Sequence, residues 1–171
     1  MKQKKFIDYY MKIAEVTAQL SYAVRLKVGA VLVRDNQIIG TGYNGMPSGW
    51  DNNCENKIWD TDSGGWLSPE EIFEQYPYEE YNADIKQVVR YNLKTKPEVL
   101  HAESNALLKV ARSTESSMNA TMFCTHAPCI ECAKLIYQAG VTKLYYREQY
   151  RDNKGLEFLS KSGVDVTRHE V

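Results

Sequence analysis

The feature that most constrains this chain is a rhythm that sets in beyond residue 100. Apolar side chains recur at helical spacing over 101–112, and 121–125, 142–147 and 165–169 read as strands. Helical stretches over 129–139 and about 154–162 separate those strands, with short links between them. Strand–helix–strand units of that length set their strands parallel in one sheet, so the fold class is expected to be α/β.

Upstream, 5–20 reads as an amphipathic helix on which Phe6, Tyr9, Tyr10, Ile13, Val16, Thr17 and Leu20 recur. Residues 28–34 and 37–42 read as two strands joined at Asp35-Asn36, a hairpin turn. A loop rich in Gly, with Asn and Pro, runs from Gly42 to Gly49. The stretch 50–67, which carries Trp50, Trp59 and Trp66, reads as irregular. Ser68-Pro69-Glu70-Glu71 has the capping serine, first-position proline and returning glutamate of a helix start. A short helix to about Tyr76 is expected there, then a second from Tyr78 to Thr95, stopped before Pro97.

With 171 residues, 43% hydrophobic and 25% charged, the chain can bury one core of its own. The expected organisation is a single domain over 1–171 with an insertion at about 50–98, longer than a plain connection needs. A formal net charge of −1 and the lack of a basic stripe argue against a polymeric nucleic-acid partner and favour a small substrate. Lys2-Gln3-Lys4-Lys5 is the one basic run and fits a solvated helix start. No apolar run approaches a membrane span, and the N-terminal stretch mixes Asp, Tyr, Lys and Glu among its apolar residues, unlike a signal peptide. A cytoplasmic location, with no membrane partner, is the expectation.

The four cysteines are Cys54, Cys124, Cys129 and Cys132. In a reducing compartment, closely spaced cysteines point to metal or catalysis. Cys129 and Cys132 lie three apart at the start of an expected helix, so they share a face, and the helix N-terminus favours their thiolate forms. Two thiolates and the imidazole of His101 make three protein ligands, which leaves the fourth tetrahedral position of a zinc ion open for water. Zinc in such a site lowers the pKa of water toward about 7. Glu103 stands two residues after His101, and the two can serve one site only from the first turn of a helix; Pro97 just upstream supports a helix beginning near His101. Proton transfer is then the work left for Glu103. The alternative is a closed structural zinc with His126, Cys124 or Cys54 as fourth ligand, which leaves Glu103 without a role.

His101-Ala102-Glu103 and Pro128-Cys129-Ile130-Glu131-Cys132 together match the zinc-deaminase signature H-x-E…P-C-x-x-C, whose Glu is the acid/base and not a ligand. His101 to Leu107 resembles the H-A-E-x-N-A-[IL] run of the deoxycytidylate (dCMP) deaminases. Pro128 to Ile136, with Gln138 to Val141, is similar to that family's P-C-x-x-C-A-K-x-I…G-[IV]. Val28-Gly29-Ala30 and Gly42-Tyr43-Asn44-Gly45-Met46-Pro47 resemble its first strand and its G-Y-N-G-x-P loop. The likeness runs from about Lys5 to Val171 and is weakest over 50–98.

This resemblance implies a three-layer α/β/α fold around a five-stranded mixed sheet whose strands 3 to 5 are parallel. It implies hydrolysis of dCMP to dUMP with one catalytic zinc per chain, a homo-oligomer (commonly a hexamer), activation by dCTP and inhibition by dTTP, with Mg2+ accompanying a triphosphate effector. His101, Cys129 and Cys132 carry over as metal ligands and Glu103 as the catalytic residue. On the substrate side the resemblance implies Asn44 near the sugar, Arg112 at the phosphate or a subunit contact, and Tyr150 near base and phosphate. Ala102, Thr125 and Ala127 are expected to offer backbone or hydroxyl contacts. His126 stands where the family often has an apolar residue and is read as a pocket or phosphate contact. Arg25, Lys27, Asn44 and Gly45 are expected at an effector. Plainer readings stand beside several of these: a turn asparagine, a surface arginine, a packed tyrosine, a rim histidine. Some members hold a second, structural zinc, but the insertion offers only Cys54 and no histidine, so none is expected here. Deoxycytidine, dCTP or a modified dCMP fits the same chemistry, and an inactive zinc-stabilised scaffold is the alternative from another class.

Overall fold

The computed structural model describes residues 2–60 and 67–170. It resolves into two compact units, Met1–Asn53 with Glu98–Val171, and Cys54–Pro97.

The larger unit is built on a five-stranded sheet. In chain order its elements are α1 (Lys2–Ala18), β1 (Gly29–Arg34), β2 (Gln37–Tyr43), then α3 (Ala102–Ala111), β6 (Thr121–His126), α4 (Ile130–Gln138), β7 (Lys143–Glu148), α5 (Lys154–Lys161) and β8 (Asp165–Arg168). Across the sheet the order is β2-β1-β6-β7-β8. β1 is antiparallel to both β2 and β6, whereas β6–β7 and β7–β8 are parallel. The sheet is therefore mixed, with its last three strands parallel. At the β1–β2 hairpin both Asp35 and Asn36 have positive φ (50° and 62°), the conformation of a two-residue turn that follows the strand twist.

Both faces of the sheet are covered. Val31, Val33 and Phe123 pack on one side with Tyr10, Met11 and Ala14 of α1. Ala30, Leu32, Met122, Cys124 and Leu144 pack on the other, with Ala102, Ala106, Leu107 and Val110 of α3, Ala133 and Ile136 of α4, and Leu159 of α5. Strands covered twice read as continuous apolar runs, as β1 does.

The packed face of α1 differs from the one expected. Tyr10, Met11, Ala14, Thr17 and Ala18 are buried, while Phe6, Tyr9, Val16 and Leu20 are exposed. Gly29 explains the rotation. A Cβ there would fall 2.0 Å from the carbonyl oxygen of Ala14 and 2.7 Å from the nitrogen of Ala18. The helix is seated on its small residues, which a count of large apolar side chains overlooks.

The smaller unit contains β3 (Glu55–Trp59), α2 (Pro69–Gln75), β4 (Tyr78–Asn82) and β5 (Gln87–Thr95), with the strands in the antiparallel order β3-β5-β4. α2 starts as the sequence requires: Ser68 Oγ accepts the Glu71 N–H at 3.3 Å and Glu71 returns a carboxylate to the Ser68 N–H at 2.8 Å. Two expectations are corrected. Part of the stretch read as irregular, 50–67, is strand β3, while Trp66 and the rest of 61–66 lie outside the described residues. The helix expected from Tyr78 to Thr95 is a hairpin instead. Asn82 Oδ1 accepts the N–H groups of Asp84 (3.0 Å) and Ile85 (3.3 Å), and Lys86 takes a φ of 53°, which together turn the chain. Val89, Tyr91 and Leu93 then alternate along β5, and Tyr91 meets the rings of Trp59 and Tyr78 at centroid distances of 5.4 and 5.5 Å. No described helix is long and apolar enough to cross a membrane.

Candidate active site

Two helix starts supply the chemistry. At the first, His101 is the N-cap of α3 in an extended conformation (φ −80°, ψ 152°), and Glu103 is the second helical residue. Three contacts fix this start. Gly45 and Leu100 exchange backbone hydrogen bonds of 3.1 and 2.9 Å, which orients the chain just before His101. Asn105 Nδ2 donates to the Tyr43 carbonyl at 2.8 Å. Gly42 lets α3 lie directly on β2, since a Cβ there would fall 2.1 Å from the Ala102 carbonyl oxygen and 2.5 Å from the Ala106 nitrogen. Ala102 is buried in this contact.

At the second start Cys129 is the N-cap of α4 (φ −67°, ψ 167°), and Cys132 is its third helical residue. These are the two positions whose side chains face each other across a helix's first turn. The Pro128–Cys129 backbone is backed by Gly155 of α5, where a Cβ would stand 2.0 Å from the Pro128 carbonyl oxygen.

The two starts bring three donors together. His101 Nδ1 lies 3.6 Å from Cys129 Sγ and 3.4 Å from Cys132 Sγ, and all three ligand atoms fall within 4.8 Å of one another. Tetrahedral zinc bound at ordinary Zn–S and Zn–N lengths requires an S···N separation of about 3.6 Å, so the donor set fits that ion. Among the described residues no fourth His, Cys, Asp or Glu ligand atom joins this group. The set is that of an open site and not of a closed structural one.

The three donors share protons among themselves, and Glu103 beside them is perturbed as well. The Cys132 thiol hydrogen-bonds to Cys129 and, with His101 beside it, lowers Cys129 to about 3, while Cys132, which keeps the shared proton, is pushed up. His101 is raised by its hydrogen bond to Cys129, against the opposing effect of burial. Glu103 is almost fully buried, and burial raises its carboxyl above the usual range. A carboxyl whose hold on a proton is strengthened by burial is suited to receiving and returning one.

The other candidate residues are placed unevenly. Thr125 is buried at the end of β6; its Oγ1 accepts the Gly29 N–H at 3.1 Å and lies 3.0 Å from His126 Nδ1. His126 is half-buried, and Ala127 is buried with its N–H on the Glu148 carbonyl at 2.8 Å. Both polar atoms of the Asn44 side chain are engaged by backbone: Oδ1 accepts the Val28 N–H and Nδ2 donates to the Leu26 carbonyl, each at 2.8 Å. Asn44 thus braces the segment that carries Arg25 and Lys27, both exposed. Tyr150 lies in the link from β7 to α5, with the Arg151 guanidinium 5.7 Å from its ring centre. Arg112 caps the far end of α3, about 16 Å along the helix from His101 at 1.5 Å per residue, so it is not brought to the donor group of its own chain. Cys124 is buried in β6, with burial pushing its thiol well up, and stands outside the donor group. Gly155 and Asn105 also position the two helix starts. Gly155 gives no sequence signal for its contact, whereas Asn105 was visible as the N of H-A-E-x-N-A.

An α/β unit with a buried carboxyl beside an open His-Cys-Cys centre defines a metal-binding domain equipped for hydrolysis. The chain belongs to the cytidine and deoxycytidylate deaminase zinc-binding family, whose pattern matches residues 4–148. It is 35% identical over 170 residues to the deoxycytidylate deaminase of Enterobacteria phage T4, covering 91% of this chain and 86% of that one. To the deoxycytidylate deaminase of Homo sapiens it is 32% identical over 155 residues, covering 85% and 67%. Among solved structures it is similar to the dCMP deaminase of cyanophage S-TIM5 in complex with dCMP and dUMP, with a TM-score of 0.71, 37% identity and 95% of each chain covered.

Proposed function

We propose that this chain hydrolyses dCMP to dUMP and ammonia. The observation that carries the proposal is the juxtaposition of buried Glu103 with His101, Cys129 and Cys132. Its support in substrate comes from the similar phage enzyme, whose structure holds dCMP and dUMP. His101 Nδ1 and the two sulfurs would hold one zinc per chain, and the two thiolates balance the ion's two charges. When bound, zinc supplies a Lewis acid that makes a water at its open position acidic enough to act near neutral pH. Glu103 carries the protons: one from the attacking water to N3 of the cytosine ring, and one to the departing amino group at C4. Because Glu103 is buried, the proton passes between it and the base without exchange with bulk water.

The chain is one deaminase domain with an insertion at about 50–98, which contains the compact unit Cys54–Pro97, acting in the cytoplasm as a homo-oligomer, a hexamer in the family pattern. The exposed apolar run Phe6, Tyr9, Val16, Leu20, Tyr22 and Val24 supports association. dCTP would activate and dTTP inhibit, with Mg2+ accompanying the triphosphate, and Asn44, next to Gly45, braces the segment of Arg25 and Lys27 that would meet it. The deciding experiment measures ammonia release from dCMP beside deoxycytidine, CMP and dCTP, with zinc quantified in the same sample. Turnover confined to dCMP supports the substrate, and turnover on another cytosine compound moves it. Saturation curves that stay hyperbolic and indifferent to added triphosphates would remove the regulation.

A further inference from the structure

His126 stands out because its Nδ1 meets a buried hydroxyl that already accepts another hydrogen bond. Along β6, Met122 and Cys124 pack toward α3 and α4, and His126 is the next residue in that row, at the strand end three residues before Cys129. Its Nδ1 lies 3.0 Å from Thr125 Oγ1. That hydroxyl already accepts the Gly29 N–H at 3.1 Å, and it is buried, so its single hydrogen needs an acceptor. Among the described hydrogen bonds, His126 Nδ1 is the only acceptor it has. A nitrogen that accepts carries no proton, which leaves the ring neutral with its hydrogen on Nε2. Burial also disfavours the charged ring, although Glu148, opposite His126 across the β6–β7 register, works against it.

We propose that the chain Gly29 N–H, Thr125 O–H, His126 Nδ1 makes His126 a positioning residue, presenting a fixed Nε2–H donor to the phosphate end of the bound nucleotide. The second half rests on the nucleotide reading above. Glu103 and Cys132 are buried and His126 is half-exposed, so a nucleotide that enters base first leaves its sugar–phosphate part beside His126. A neutral donor there orients the phosphate without adding a second cation to the centre.

The test has two arms, both on zinc-loaded protein. Nitrogen-15 spectra of histidine-labelled protein read the tautomer directly, and only His101, His126 and His169 contribute. Loss of one ring in His126→Gln assigns the signal. Expected is an unprotonated Nδ1 and a protonated Nε2 for His126, scrambled to a mixture in Thr125→Val and restored in Thr125→Ser. A protonated Nδ1, or a Thr125→Val spectrum like the parent's, overturns the relay. In the second arm calorimetry compares dUMP with deoxyuridine. His126→Phe should weaken dUMP about tenfold and leave deoxyuridine unchanged, whereas His126→Gln, which keeps an N–H at similar reach, should stay within about threefold. Equal losses for both ligands, or none for either, overturn the phosphate assignment. A parent protein that binds neither ligand sinks the nucleotide reading itself, while the nitrogen spectrum still decides the relay.

Discussion

The starts of α3 and α4 invite comparison because they solve the same problem with different spacings. Both place their first functional residue at the N-cap in extended backbone, His101 at ψ 152° and Cys129 at ψ 167°. In α4 the second functional residue, Cys132, follows at three, the separation that turns two side chains toward one point. In α3 it follows at two, so Glu103 is rotated away from the direction of His101 and into the interior, where it is buried and outside the ligand group. The spacing thus sorts the residues. Three apart makes a pair of ligands, and two apart makes a ligand and a buried acid. Each start is also backed by a glycine that admits a backbone contact no side chain would permit, Gly42 under α3 and Gly155 against the loop into α4.

The sharpest way to break this division is at α4. Cys129→Ser or Cys132→Ser removes a soft thiolate from a three-donor site, and metal content should fall to near zero with turnover beyond detection. Metal analysis after dialysis, beside ammonia release, reads both. A serine variant that keeps a full complement of zinc would show that the ligands have been misassigned. Glu103→Gln attacks the other spacing. Zinc content and thermal midpoint should stay at the parent's level while turnover drops about 10²–10⁴-fold, the range expected for a lost general acid/base. If the glutamine variant lost zinc, Glu103 would be a ligand and the two helix starts would not differ in kind.

These chemical residues were legible in the sequence for a physical reason. Pro128, the Cys129/Cys132 pair and the His101/Glu103 pair are local patterns tied to helix starts, β1 and β6 are twice-covered apolar runs, and strands and helices alternate beyond residue 100. What was not legible depends on a turn inside an ambiguous stretch or on partners distant in sequence. The stretch from Tyr78 offered tyrosines and valines that fit a helical count and a strand count alike, and Asn82 with Lys86 decided between them by turning the chain. The true face of α1 is set by Gly29, which lies beyond the helix and draws in Ala14 and Ala18. Gly155 likewise matters only because Pro128 is packed against it.

Smaller effects separate the two glycines. Gly155→Ala and Gly42→Ala each force a Cβ to about 2 Å from a backbone oxygen, so each should cost about 1–3 kcal/mol of stability, read as a lower thermal midpoint. Their side effects should differ. Gly155→Ala disturbs the Pro128–Cys129 backbone that leads into α4 and should weaken zinc retention in a chelator competition. Gly42→Ala shifts His101 and Glu103 together, so a larger share of its effect should fall on kcat at full zinc loading. Identical profiles for the two variants would mean that the centre moves as one rigid piece.

The smallest test concerns the single side chain that ties α3 to the end of β2. Asn105 Nδ2 donates to the Tyr43 carbonyl at 2.8 Å from a half-buried position. Removing it in Asn105→Ala leaves that carbonyl without this donor, and a loss of about 0.5–1.5 kcal/mol is expected from denaturant unfolding. Because Gly42 and the Gly45–Leu100 pair still hold the first turn, zinc content should not change and kcat should fall by less than about threefold. A loss of turnover on the scale of Glu103→Gln would mean that Asn105, and not the backbone contact at Gly42, sets the direction of the α3 start. It would move the difference between the two helices from their spacing to one amide.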